Sequence, residues 1–152
     1  MAIEQEKCDP AAMTVLVTGA TAGFGEATAR RFHAAGSRVI MTGRRKERLD
    51  SLAQSMGGER VHPVQLDVRD RAAVFDMVDN LPAAFADVDV LVNNAGLALG
   101  LEAAPEANLD DWETMVDTNC KGLMYCSRAL MPGMCRRDRG HIVNLGSVAG
   151  TS

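Results

Sequence analysis

The stretch TVLVTGATAGFGEATARRF, residues 14–32, decides the fold of this 152-residue chain. It opens as a β-branched apolar run, turns through Gly19, Gly23 and Gly25, and continues as a helix in which Phe24, Ala27, Thr28, Phe32 and Ala35 keep helical spacing. Gly36 follows as a C-terminal stop. A strand running straight into glycines and a helix start brings free N–H groups and a partial positive charge beside bare backbone, the arrangement that receives a pyrophosphate. The spacing is G-x3-G-x-G, not the G-x-G-x-x-G dinucleotide fingerprint, and the lysine of a P-loop is missing.

The same alternation continues outward. Strands are expected at Thr14 to Thr18, Arg38 to Thr42, Val61 to Gln65, Val88 to Asn93 and His141 to Leu145, each apolar enough to be covered on both faces. Helical patterns fill Lys46 to Met56 and Arg69 to Leu81. The longest helix is expected from Leu109 to Arg137, with Asn108 as N-cap, Asp111 in an acidic capping box and an apolar face of Trp112, Met115, Val116, Leu123, Cys126 and Leu130. Pro132 should kink it or end its regular part. Asn119 lies in phase with Trp112, Met115 and Leu123, so it should be buried and must find partners. Strands alternating with helical crossovers make a parallel sheet with helices on both faces, a doubly wound α/β fold.

The second strand ends in TGRRKERL. Where an NAD site carries an acid for the ribose 2′-hydroxyl, this chain has Gly43, Arg44 and Arg45, which favours NADP. As a merely solvated basic face these cations would sit at a helix N-terminus, where the macrodipole opposes them. After the third strand, Asp67 of QLDVRD either accepts a hydrogen bond from an adenine amino group or caps the next helix. After the fourth, LVNNAGLALG is a small-residue turn that lets backbone approach a ligand.

A composition of 47% hydrophobic and 24% charged residues suits one globular domain, Met13 to Ser152, behind a flexible polar leader of residues 1–12. A net charge of −4 argues against a general grip on nucleic acid or anionic lipid, so any anion site must be local. No apolar run approaches a membrane span and no signal peptide is apparent, which gives a cytoplasmic expectation. Cys8, Cys120, Cys126 and Cys135 have no metal-binding spacing; Cys120 and Cys126 should point to different helix faces. His33, His62 and His141 stand apart in sequence, and no metal site is expected.

TGATAGFG, NNAG, the helical TNCKG and GHIVNLGSVAG follow one another in the order and spacing of the short-chain dehydrogenase/reductase family, which the chain resembles from Met13 to Ser152. GATAGFGE, TGRRKERL, NNAGLALGLE and DDWETMVDTNCKGL are most similar to its NADP-dependent 3-hydroxy acid dehydrogenases, which act on serine, allo-threonine and related acids. The resemblance implies a Rossmann-type sheet of order 3-2-1-4-5 and homo-oligomers of the full-length protein. It assigns Gly19, Ala20, Thr21, Ala22, Gly23, Phe24 and Gly25 to the pyrophosphate, and Arg44 and Arg45 to the 2′-phosphate. Asp67 and Val68 fall to the adenine, and Asn93, Asn94, Ala95 and Gly96 to the nicotinamide ribose side. Asn119 would support a proton-relay water, and Ser147 would hold the oxygen of a small-molecule alcohol or ketone.

The family's acid–base pattern, Y-x-x-x-K, does not occur. The one tyrosine, Tyr125, is followed by CSRA and has no lysine four residues on. The chain is therefore expected to be an incomplete, inactive N-terminal part of an NADP-dependent oxidoreductase, with an exposed edge at Leu145 and an apolar surface on the order of several hundred Å². The alternative is a non-catalytic nucleotide-binding or interaction module.

Overall fold

The structure, a computed structural model, describes residues 9–100 and 102–147. Thus Cys8, most of the leader and the Val148 to Ser152 end of GHIVNLGSVAGTS lie outside the described residues. Five strands, β1 (Thr14–Val17), β2 (Arg38–Gly43), β3 (Val61–Gln65), β4 (Val90–Asn93) and β5 (His141–Asn144), form one parallel sheet of order β3-β2-β1-β4-β5. The crossovers are α1 (Gly23–Ala34), α2 (Lys46–Ser55), α3 (Arg71–Asp79) and a long rod built from α4 (Leu109–Val116) and α5 (Gly122–Arg136). Among the described residues no helix is long and apolar enough to cross a membrane.

The alternation of side chains along each strand divides the core in two. Val15, Val17, Val39 and Met41 face α1 and α2 and meet Ala29, Leu49 and Leu52. Leu16, Ile40 and Leu91 face the other way and meet Val74, Cys126, Leu130 and Met134 from α3 and α5. Burial pushes the Cys126 thiol up to about 12, whereas Cys120 is exposed on a different face. β5 departs from the expectation of two-sided cover: Ile142 reaches the core, but Val143 and Leu145 are 37% and 40% exposed. Among the described residues only β4 flanks this strand, so its outer edge is open there.

Three local expectations need correction. Phe24 is 79% exposed, and the inward face of α1 runs through Gly25, Ala29 and Phe32, so Phe32 meets the core as expected while the first turn of the expected stripe does not. The helix lies too close to the glycine turn for a large residue to face inward there. The rod does not run in one α-helical phase either, because Asp117–Lys121 is a π-helical turn. The wider turn changes the phase of everything beyond Val116, so Trp112 and Val116 are exposed while Cys126 and Leu130 are buried. Finally, of the two outcomes expected at Pro132, an end to the helix does not occur, since α5 continues to Arg136.

Side chains cap α3 and α4, whereas α1 and α2 have no side-chain cap. Asn108 accepts from the Asp110 N–H at 2.9 Å and caps α4. Pro10–Ala12, within the leader, form a short 3₁₀ turn; the Ser37 hydroxyl donates to the Pro10 carbonyl at 2.7 Å, and Gly36, at φ +99°, lies against Ala11. The cap of α3 is Asp70, which accepts from the Ala73 N–H at 3.0 Å, and not Asp67. Asp70→Ala is expected to lower unfolding stability by about 1 kcal/mol, read from urea denaturation, while Asp67→Asn leaves the helix start intact.

Candidate functional site

The site forms where β1 and β4 diverge into loops at the carboxyl end of the sheet, the switch point where open parallel sheets bind ligands. Hydrogen bonds from the core hold the glycine turn there. Ala20 N–H donates to the Thr42 carbonyl at 2.9 Å, and Thr18 N–H to the Val92 carbonyl at 3.0 Å. The Thr18 hydroxyl accepts from the N–H groups of Asn94 and Ala95 at 3.0 and 2.9 Å. In return the Asn94 amide donates to the carbonyls of both Thr18 and Gly19, at 3.0 Å each. The NNAG turn and the glycine turn are thus one hydrogen-bonded unit.

This closeness explains the glycines. A Cβ on Gly19, at φ +63°, would lie 2.9 Å from the Ala95 backbone, and one on Gly25 would lie 2.3 Å from the Gly19 carbonyl oxygen. Gly23, at φ +54°, has nothing within 4 Å of such an atom, so the space above it is open. Ala22 is the N-cap of α1 and no side chain caps it, leaving the first N–H groups of the helix without the usual Ser or Asp partner.

A cleft of about 360 Å³ extends from this cradle. Gly19, Thr21, Ala22 and Gly23 form its floor, with Thr42, Gly43, Arg44 and Arg45 along the β2 side. Arg45 is the N-cap of α2, and Gln65 fixes the turn by donating to the Arg44 carbonyl at 2.9 Å. Both arginines are exposed, and Glu47 is not among the residues lining the cleft. Beyond them lie Leu66, Asp67, Val68 and Arg69, and opposite stand Asn94, Ala95, Gly96, Leu97 and Thr118. Val68 is packed by the rod: a Cβ on Gly122 would lie 2.6 Å from it, so only glycine lets the helix approach.

Asp67 is held by Arg69, whose Nε and Nη2 reach its carboxylate at 3.0 and 2.6 Å, while the Arg69 N–H donates to it at 3.0 Å. The hydrogen bonds from the Arg69 side chain hold the Asp67 carboxyl below the usual carboxylate range, against an opposing effect of burial. Asp67 therefore presents a fixed, charged acceptor, which fits an amino group.

Several expected residues lie outside the cleft lining. Ala20 and Asn93 are buried beneath it, Gly25 is the contact that holds α1 in place, and Phe24 points to solvent. The Asn93 amide donates to the Ser127 hydroxyl at 3.1 Å and to Asn144 at 2.9 Å, tying β4 to β5 and α5. Ser147 follows β5 and is exposed. Asn119 is exposed rather than buried, because the inward stripe of the rod runs through Thr118, Gly122, Cys126 and Leu130, one position before it. It still finds partners, accepting from the Leu97 N–H and donating to the Leu97 carbonyl, both at 2.9 Å. Tyr125 is half-buried against the α3 and α5 side of the core. Among cleft residues, Thr42, Leu66, Arg69, Leu97 and Thr118 were not expected. Thr42 and Leu66 adjoin residues that were, the Asp67 to Arg69 spacing of an Asx turn marks Arg69, and no local pattern marks Leu97 or Thr118.

Comparison with known proteins bears on this geometry. The family model described as short chain dehydrogenase matches residues 13–152. An NADP-dependent 3-hydroxy acid dehydrogenase of Salmonella typhi is 63% identical over 139 residues, covering 91% of this chain and 56% of that protein. A serine 3-dehydrogenase of Agrobacterium fabrum is 51% identical over 136 residues, covering 90% of this chain and 54% of that protein. A solved closed form of serine dehydrogenase complexed with NADP⁺ superposes with a TM-score of 0.90 at 57% identity, over 92% of this chain and 56% of that one. The chain thus spans about half the length of the curated relatives it matches.

Proposed function

The chain belongs to the short chain dehydrogenase family, and from that premise we propose that it is the cofactor-binding half of an NADP-dependent oxidoreductase acting on a 3-hydroxy acid such as serine or allo-threonine. The observation carrying this reading is the cleft itself, open above Gly23 and ending at Arg44 and Arg45, with Asp67 as its one lining carboxylate among the described residues. The names of the similar proteins support both the cofactor and the substrate class.

On this reading the backbone of Gly19 to Gly25, with the free end of α1, receives the pyrophosphate. Arg44 and Arg45 hold the 2′-phosphate through charge-assisted hydrogen bonds. Asp67 and Val68 take the adenine, and Asn94, Ala95 and Gly96 take the ribose beside the nicotinamide, with Asn93 fixing their turn from beneath. When bound, NADP supplies the hydride acceptor. The Ser147 hydroxyl would hold the substrate oxygen, and the Asn119 amide, bonded to Leu97, would support a relay water. The 152 residues contain no Y-x-x-x-K pair, so the pair that exchanges the proton of that oxygen in this family is not among them. The full-length protein is proposed to be a homo-oligomer; exposed Trp112, Val116, Met124 and Met131 on the rod support this.

Calorimetric titration with NADP and NAD tests the reading. Binding of NADP with a clear preference over NAD, without turnover of serine by this chain alone, is the expected result. Equal affinity for the two cofactors, or no binding of either, would overturn it.

A further inference from the structure

We propose that Arg69 is a specificity-determining residue for the cofactor's 2′-phosphate, acting through Asp67 and not by contact with the phosphate. The inference rests on the NADP reading above and deepens it. Asp67 is the one carboxylate lining the cleft among the described residues, and it shares that cleft with Arg44 and Arg45. Arg44 is near enough for its charge to help hold the Asp67 carboxyl low, after the larger effect of the Arg69 hydrogen bonds.

A carboxylate in this place works against a phosphorylated cofactor. At neutral pH a phosphate monoester carries nearly two negative charges, which an unpaired Asp67 would repel. The same carboxylate would also draw the Arg44 guanidinium away from the phosphate. Arg69 prevents both, because its Nε and Nη2 engage the carboxylate in a fork, at 3.0 Å to each oxygen from Nε and 2.6 Å to one from Nη2. The N–H of Arg69 adds a third donor at 3.0 Å, so the carboxylate is fixed by a segment only two residues long.

The pair is poorly suited to a purely structural role. Its side chains are 37% and 34% exposed, and ion pairs at such exposure add little to stability. Asp70 already caps the helix that follows. What the pair does change is the field in the cleft: it converts a lone negative charge beside the arginines into a neutral, hydrogen-bonded unit. NAD, which lacks the 2′-phosphate, is nearly indifferent to that change.

The test is the ratio of NADP to NAD affinity in the purified protein, measured by titration at low ionic strength, where screening is weakest. Arg69→Ala is expected to weaken NADP binding on the order of tenfold and to leave NAD binding nearly unchanged. Adding Asp67→Asn to Arg69→Ala removes the uncompensated charge while keeping an acceptor oxygen, and is expected to restore the preference. Equal losses for both cofactors in Arg69→Ala would show a structural role only and overturn the proposal. Failure of the double variant to recover would show that Arg69 touches the phosphate itself, and would overturn it equally. A parent protein without NADP preference would overturn the functional reading and this inference together, an outcome separable from the other two because it appears before any substitution.

Discussion

Gly25→Ala is expected to remove cofactor binding and to destabilise the fold by about 3 kcal/mol, the upper range for overpacking a tight contact. The added methyl would lie 2.3 Å from the Gly19 carbonyl oxygen and 2.4 Å from the Asn94 amide nitrogen. Those two atoms are themselves hydrogen-bonded at 3.0 Å, so the methyl must split the bond that joins the glycine turn to the NNAG turn. Helix propensity pulls the other way, since alanine in a helix is favoured over glycine by about 1 kcal/mol. The clash is with backbone and a fixed amide, and it outweighs that gain. Displacing α1 also moves the N–H groups that face the cleft, and a misfit of about 3 kcal/mol in the cradle corresponds to about a hundredfold in affinity. Urea unfolding and NADP titration check both parts. Gly23→Ala is the control for folding: nothing lies within 4 Å of its methyl, and its φ of +54° leaves only backbone strain of about 1 kcal/mol. Equal stability of Gly25→Ala and the parent would contradict the packing argument.

Replacing both Arg44 and Arg45 by alanine is expected to cost about 3 kcal/mol or more in NADP binding, at about 1.5 kcal/mol or more for each hydrogen bond to a charged group, hence about a hundredfold or more. NAD affinity should change little, so the preference between the cofactors disappears. The sign of the stability effect separates this from misfolding. Both side chains are exposed, and Arg45 is the N-cap of α2, where the helix dipole disfavours cations. Losing them should leave the melting temperature unchanged or slightly raised. A double variant that keeps its NADP preference would show that the phosphate is held elsewhere.

How much of this was legible in the sequence depends on the range of the interaction concerned. The five strands appear within one or two residues of their expected limits, because each is a short apolar run bounded by turn residues. The switch-point cleft follows from strand order, and its floor and β2 side carry residues named from GATAGFG and GRR alone. Where the expectation failed, a contact distant in sequence had set the outcome. Phe24 has the right spacing for a core face, but the approach of Gly25 to Gly19 and Asn94 rotates it to solvent. Asn119 looked buried on a regular helix, and the inward stripe through Thr118 and Gly122 leaves it exposed while preserving the need for partners, which Leu97 meets.

Periodicity and glycine spacing by themselves determined the parallel sheet, the glycine turn and the basic end of β2, since these depend on local backbone freedom and on which residues must leave water. Only the tertiary structure decided the inward face of the first turn of α1, the π-helical turn in the rod, the capping by Asp70 and the capture of Asp67 by Arg69. Each of those choices was between local alternatives of similar energy, and contacts between segments far apart in the chain, or the crowding they impose, settled it.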